Sequence, residues 1–143
     1  MIYELVSERH AAPYKVSRPQ DIYGALARYS RARNERFFAI TLNGAHEIIK
    51  VHIVSIGLVN RTVVHPREVF ITAIKDNAVA LIVAHNHPTN HYESVSAEDR
   101  ECTDRLRQAS EILGIALLDH IVFSRSGYYS FVEHGLLEAP RLD

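Results

Sequence analysis

Cysteine is nearly missing from this 143-residue chain: Cys102 is the single one. That excludes an internal disulfide framework and a cysteine-based metal cluster, so any metal ion must sit on nitrogen and oxygen ligands. Long apolar runs are missing too. No stretch approaches a membrane span, and the start MIYELVSERH carries no signal-peptide core. These shortages lead us to expect a soluble protein of the reducing cytoplasm with no membrane partner. Charge of one sign is scarce: 16 basic and 17 acidic residues leave a net charge of −1. No global field therefore favours nucleic acid or acidic membranes. Repeats, low-complexity tracts and an obvious linker are absent as well. With 47% apolar and 23% charged residues, the chain suits one domain over residues 1–143, with an N-terminal extension (1–18) and a core over about 19–137.

The patterning present is that of an α/β protein. A short strand is expected near residues 3–7, followed by a loop around Pro13. Pro19 opens a helix with Ile22, Ala25, Leu26 and Tyr29 on one face. Residues 37–42 and 47–56 are β-rich and flank Asn43-Gly44, a strong hairpin signal. His65-Pro66 starts a second helix with Val69, Ala73 and Ile74 on its apolar face, ending near Asn77. VALIVA (79–84) reads as a central strand covered on both faces. Ser96 caps a third helix that runs to about Leu113 and stops at Gly114, with Cys102, Leu106, Ala109 and Leu113 in one stripe. Residues 115–123 form another strand, turned by Ser126-Gly127 into 128–132. The sum is a three-layer α/β/α sandwich around a central mixed sheet.

The most telling segment is Ala84-His85-Asn86-His87-Pro88, followed by Ser96-Ala97-Glu98-Asp99. Two histidines at i and i+2 in a strand share a face, about 6.6 Å apart at Cα, close enough to converge on one ion. One added carboxylate completes three ligands with a fourth position left open for water, the pattern of a catalytic zinc site. A plainer reading exists. Ser96-x-x-Asp99 is also a capping box, and a cap can fix the very backbone from which Asp99 projects.

His-x-His-Pro, a loop and Ser-x-x-Asp resemble the JAMM motif of the JAB/MPN metalloprotease fold, a cytidine-deaminase-like architecture. VVHPREVF (63–70), LIVAHNHP (81–88), Leu113-Gly114-Ile115, LLDHIV (117–122) and GYYSF (127–131) resemble its bacterial RadC branch. The resemblance runs from about Ser17 to Leu137. It implies a zinc-dependent metallohydrolase acting on a peptide or isopeptide bond, with His85, His87 and Asp99 as ligands of Zn²⁺. It implies Glu35, ahead of an aromatic-rich strand, as general base, and Ser96 as donor to the oxyanion. The helix-hairpin-helix DNA-binding region found in many RadC proteins has no room in these residues, so a free-standing catalytic-type domain is expected. Three departures stand out. Thr89-Asn90 replaces the usual Ser-Gly. The loop is one residue longer, so strict counting puts Glu98 where the family has aspartate, while the Ser96-x-x-Asp99 spacing favours Asp99. Gly57 is followed by Leu58-Val59-Asn60 instead of a small polar residue. These changes bear on substrate choice.

The remaining signals are weaker. His65 reads as a helix cap, and Asp119-His120 as a buried polar pair beside the site that can orient a ligand. His91 and Glu93 lie in the longer loop; His10, His46, His52 and His134 read as surface residues. Arg28, Arg31, Arg33 and Arg36 read as a solvated face, although they keep open a DNA-acting or DNA-repair-associated protein. A zinc-binding interaction module without turnover is the other alternative. The expected partner is a peptide or protein substrate; the sequence does not fix an oligomeric state.

Overall fold

Alternation along the strands builds the molecule. The computed structural model describes residues 14–57, 64–88, 92 and 95–138, and the backbone of Ser7–Glu8. Strand β1 (Ser7–Glu8) is followed by helix α1 (Pro19–Leu26), a 3₁₀ turn (Ala27–Arg31), β2 (Arg36–Leu42) and β3 (Ile48–Ile56). Then come α2 (Pro66–Lys75), β4 (Ala80–Asn86), α3 (Ala97–Leu113), β5 (Ala116–Ser124) and β6 (Gly127–Ser130). The six strands form one sheet in the order β1-β3-β2-β4-β5-β6. It is mixed: β4 runs parallel to β5 and antiparallel to β2.

Every residue of β4 is buried, which is why its sequence is continuously apolar rather than alternating. Phe37, Ala39, Leu81, Val83 and Val122 face Val69, Phe70, Cys102 and Leu106 from α2 and α3. The alternate residues Phe38, Ile40, Ile82, Ala84 and Phe123 pack with Ile22 and Leu26 of α1. Helices thus cover both faces of the sheet, the layering expected from sequence. Cys102 is a buried core residue, as its stripe position suggested.

The β2–β3 hairpin forms around Asn43-Gly44 as expected. The Asn43 side chain accepts from the Ala45 and Glu47 amides (3.0 and 2.9 Å), and the left-handed residue is His46 (φ 59°). An asparagine that captures two amides sets a longer loop. Three other local expectations need correcting. Ile74 is 55% exposed, and Phe70 and Thr72 join Val69 and Ala73 on the buried face of α2. In α3 the buried row steps through Cys102, Leu106 and Ser110, leaving Leu113 46% exposed. Strand β6 ends at Ser130 because the Asp119 carboxylate accepts from the Ser130 hydroxyl (2.5 Å) and the Val132 amide (3.1 Å), bending the chain away.

Residues 1–6, the loop at Pro13, His10, residues 58–63, Thr89-Asn90, His91 and Glu93 lie outside the described residues. The expected strand near residues 3–7 therefore coincides with description only at Ser7.

Candidate metal centre

The end of β4 brings the two imidazoles together. His85 is fully buried and His87 half-buried, and their Nε2 atoms stand 3.1 Å apart. Asp99 enters from the first turn of α3. The Asp99 amide donates to Ser96 Oγ (3.1 Å) and the Ser96 amide donates to Asp99 Oδ2 (3.3 Å), closing the capping box. That leaves Oδ1 turned to the strand end, 3.6 Å from His85 Nε2. Asp99 is 1% exposed, whereas Glu98 faces solvent. The cap and the ligand reading are therefore the same carboxylate, one oxygen for each.

Donor atoms of His85, His87 and Asp99 all lie within 4.8 Å of one another. Two donors bound to one tetrahedral zinc at about 2.0–2.1 Å stand roughly 3.3 Å apart. The observed 3.1 Å (His85–His87) and 3.6 Å (His85–Asp99) bracket that edge, so the donors stand at a spacing compatible with a zinc-sized ion.

Hydrogen bonds behind the site join His85 to Thr103 through His120. The Thr103 hydroxyl donates to the Asp99 carbonyl (2.8 Å). With that one proton directed at the carbonyl, the contact with His120 Nδ1 (2.5 Å) uses an oxygen lone pair and a His120 N–H. His120 Nε2 is then an acceptor for His85 Nδ1–H (2.8 Å), and His85 Nε2 is left as the lone pair aimed at His87 and Asp99. This orientation of a ligand by a buried partner is what metal histidines require. Phe131 stacks on His120 (4.5 Å, 14°) and holds the ring in place.

Glu35 sits just before β2 and is half-buried. Phe37, two residues on, lies parallel to the His85 ring (6.2 Å, 7°), so in an extended chain residue 35 shares the face of the histidines. The Gly57 amide donates to the Glu35 carbonyl (2.7 Å). Ser96 is exposed beside Asp99, with its oxygen accepting and its hydroxyl proton available. The sheet and α3 thus gather His85, His87 and Asp99, with Ser96 joined through the cap, while Glu35, just before β2, is not among the converging donors.

A family model for the RadC-like JAB domain matches residues 16–136. The chain belongs to that family. Among similar proteins, a UPF0758 protein of Pelodictyon phaeoclathratiforme is 42% identical over 86% of this chain and 55% of its own length. One from Symbiobacterium thermophilum is 45% identical over 89% of the chain and 56% of its own. A third, from Trichlorobacter lovleyi, is 48% identical over 73% and 45%. The chain spans about half the length of the curated relatives it matches.

Within this RadC-like JAB domain, sequence reasoning overlooked two residues. Thr103 is one helical turn after Asp99, so it shares that residue's face, a signal that was available. Asn86, fully buried between the histidines, had as its signal a polar amide inside an apolar run. His65 caps α2, its Nδ1 accepting from the Arg67 amide (3.2 Å), as expected. Asp119 and His120 are both buried, and the Asp119 carboxylate accepts from the His120 backbone amide (2.7 Å), but their side chains do not meet. Neighbours on a strand diverge, and Asp119 serves the β6 end while burial pushes its carboxyl up. His52 is no surface residue. It is 3% exposed and meets Asp76 at 2.7 Å. Arg28, Arg31 and Arg33 are exposed and Arg36 half-buried. Among the described residues no helix is long and apolar enough to cross a membrane.

Proposed function

We propose that this RadC-like JAB domain is a zinc-dependent metallohydrolase of the JAMM type, cleaving a peptide or isopeptide bond in a peptide or protein substrate. The observation that carries the reading is the convergence of His85, His87 and Asp99 donor atoms within 4.8 Å at a buried strand end. Two imidazoles and a carboxylate favour zinc among the common divalent ions, and three protein ligands leave a position for substrate or water. When bound there, zinc supplies a Lewis acid that polarises a carbonyl and acidifies the attacking water. Glu35 takes the proton of that water and passes it to the leaving amine. Ser96, whose oxygen already accepts the Asp99 amide, turns its hydroxyl proton to the developing oxyanion. Loss of such a donor costs about 2.7–4 kcal/mol of barrier.

The test strips the protein with a chelator, reloads it with Zn²⁺ and incubates it with peptide and isopeptide libraries, with Glu35→Gln as control. Zinc-dependent cleavage lost in Glu35→Gln supports the reading. Full zinc loading without cleavage of any amide overturns it in favour of a zinc-binding interaction module. Zinc-dependent nicking of plasmid DNA overturns it in favour of a nuclease.

A further inference from the structure

The ladder between β2 and β4 ends at the Phe37–His85 pair. Beyond it, the segment carrying Glu35 keeps its pairing with β3 but loses its β4 partner, just where the proposed base has to be held. The gap is filled by a side chain. Asn86, fully buried, accepts the Arg36 amide on Oδ1 (2.6 Å) and donates from Nδ2 to the Asn34 carbonyl (3.1 Å). These two bonds bracket residue 35 from both sides. A third, from the Gly57 amide to the Glu35 carbonyl (2.7 Å), ties the same residue to the end of β3. Asn86 itself is fixed, because its backbone pairs with Phe123 of β5 and the next amide, of His87, donates to the Phe123 carbonyl (2.8 Å).

The chemistry asks for an amide. One planar group must present an acceptor to an N–H and a donor to a C=O about one residue apart. A carboxylate offers no donor, and a hydroxyl is too short to reach both. The residue standing between the two histidines therefore links their strand end to the segment on the neighbouring strand.

We propose that Asn86 is the positioning residue for Glu35, clamping residues 34–36 so that the Glu35 carboxylate is held at the His85–His87–Asp99 cluster. This rests on the hydrolase reading only through the role given to Glu35. Asn86 touches neither substrate nor ion; it acts through the backbone on either side of the base.

The experiment uses the full chain as Asn86→Ala and Asn86→Asp. The second variant retains the acceptor for Arg36 and keeps the test alive should the first fail to fold. Hydrogen exchange reads the clamp directly: in Asn86→Ala the Arg36 amide should exchange about tenfold faster, with the Val83 amide unchanged. The position of the base is read from Co²⁺-loaded protein. Paramagnetic relaxation of the Glu35 Cδ, assigned by its disappearance in Glu35→Gln, should weaken several-fold in Asn86→Ala, while that of Glu98 stays the same. Stoichiometric Co²⁺ uptake should persist. In turnover, kcat should fall with KM unchanged, and Asn86→Ala should add nothing to Glu35→Gln. Unaltered Arg36 exchange, unaltered Glu35 relaxation or additive losses in the double variant each overturn the proposal. If wild-type Glu35 shows no Co²⁺ relaxation, the role of the base fails, and with it this proposal, even where Arg36 exchange upholds the clamp. If Glu35 relaxes as expected but no amide is cleaved, the hydrolase reading fails while the positioning of Glu35 stands.

Discussion

Thr103→Val isolates the proton order behind the candidate ligands. Valine keeps the branched shape of a residue only 3% exposed and removes its hydroxyl alone. In the native arrangement that hydroxyl oxygen receives the His120 Nδ1 proton, at 2.5 Å. Without it the buried imidazole has two options. It can keep its proton on Nδ1 with no acceptor, at about 1–3 kcal/mol, which on a chain of this size lowers Tm by about 2–4 °C per kcal/mol. Alternatively it moves the proton to Nε2, which then faces His85 Nδ1 (2.8 Å) as a donor. His85 must in that case carry its own proton on Nε2, the atom 3.1 Å from His87 Nε2 and 3.6 Å from Asp99, and no lone pair is offered to an ion. Losing a partner of this kind costs about 10–100-fold in metal affinity, which is about 1.4–2.7 kcal/mol. Competition against a chromophoric chelator measures the affinity, and long-range ¹H–¹⁵N spectra of the imidazoles read the tautomers. Thr103→Val with native Tm, native zinc affinity and unchanged His85 and His120 tautomers refutes the reasoning.

Asp99→Asn should still cap α3 but lose stoichiometric zinc after stripping and reloading, while Glu98→Gln binds normally; zinc retention in the first variant, measured by elemental analysis, removes Asp99 from the ligand set. Burial acts to raise the Asp76 carboxyl, but hydrogen bonds from His52 and Thr41 and the charges of His52 and Lys50 outweigh it and hold it below its ordinary value of 3.8. A folded value below the unfolded one means stability present above the unfolded pKa and lost as pH falls through the folded one. The urea midpoint of the wild type should therefore exceed that of Asp76→Asn at neutral pH, and the gap should close in acid below 3.8; an equal gap at both ends disproves the linkage. A Cβ at Gly127 would meet the Tyr92 ring at 2.8 Å, so Gly127→Ala should displace that ring and lower Tm. An unshifted Tyr92 ring resonance in the variant would show the contact to be unimportant.

Much of this was legible because each signal was local. The continuous apolar run of β4, the Ser96 cap and the Gly114 stop each depend on a few adjacent residues, and α3 begins and ends where they say. The His85–His87–Asp99 cluster was legible because a strand's period of two and a helix cap fix side-chain direction without tertiary knowledge. What the pattern could not supply was competition between side chains and backbone. Asp119 ended β6 by taking the amide of Val132. His52 was misread because its partner, Asp76, lies 24 residues away at the end of α2. Thr103, His120 and His85 form one chain of hydrogen bonds only after α3 docks on β5.

The same reasoning explains why Asp99 and not Glu98 meets the histidines. The direction of Asp99 is decided by two things inside α3: the reciprocal bonds with Ser96, and the buried row of Cys102, Leu106 and Ser110 that seats the helix on the sheet. Neither depends on how many residues join β4 to the cap. An added loop residue moves the count, placing Glu98 where Asp99 would be expected. Rotating Glu98 inward, however, would turn the helix by about 100°, since successive residues of a 3.6-residue turn are that far apart. That rotation would lift Cys102 and Leu106, 2% and 1% exposed, out of the core. Burial of that row costs far more to undo than a loop costs to lengthen, because each doubling of loop length adds only about 0.6 kcal/mol. The core therefore selects which acid faces the histidines, whatever the length of the loop before the cap.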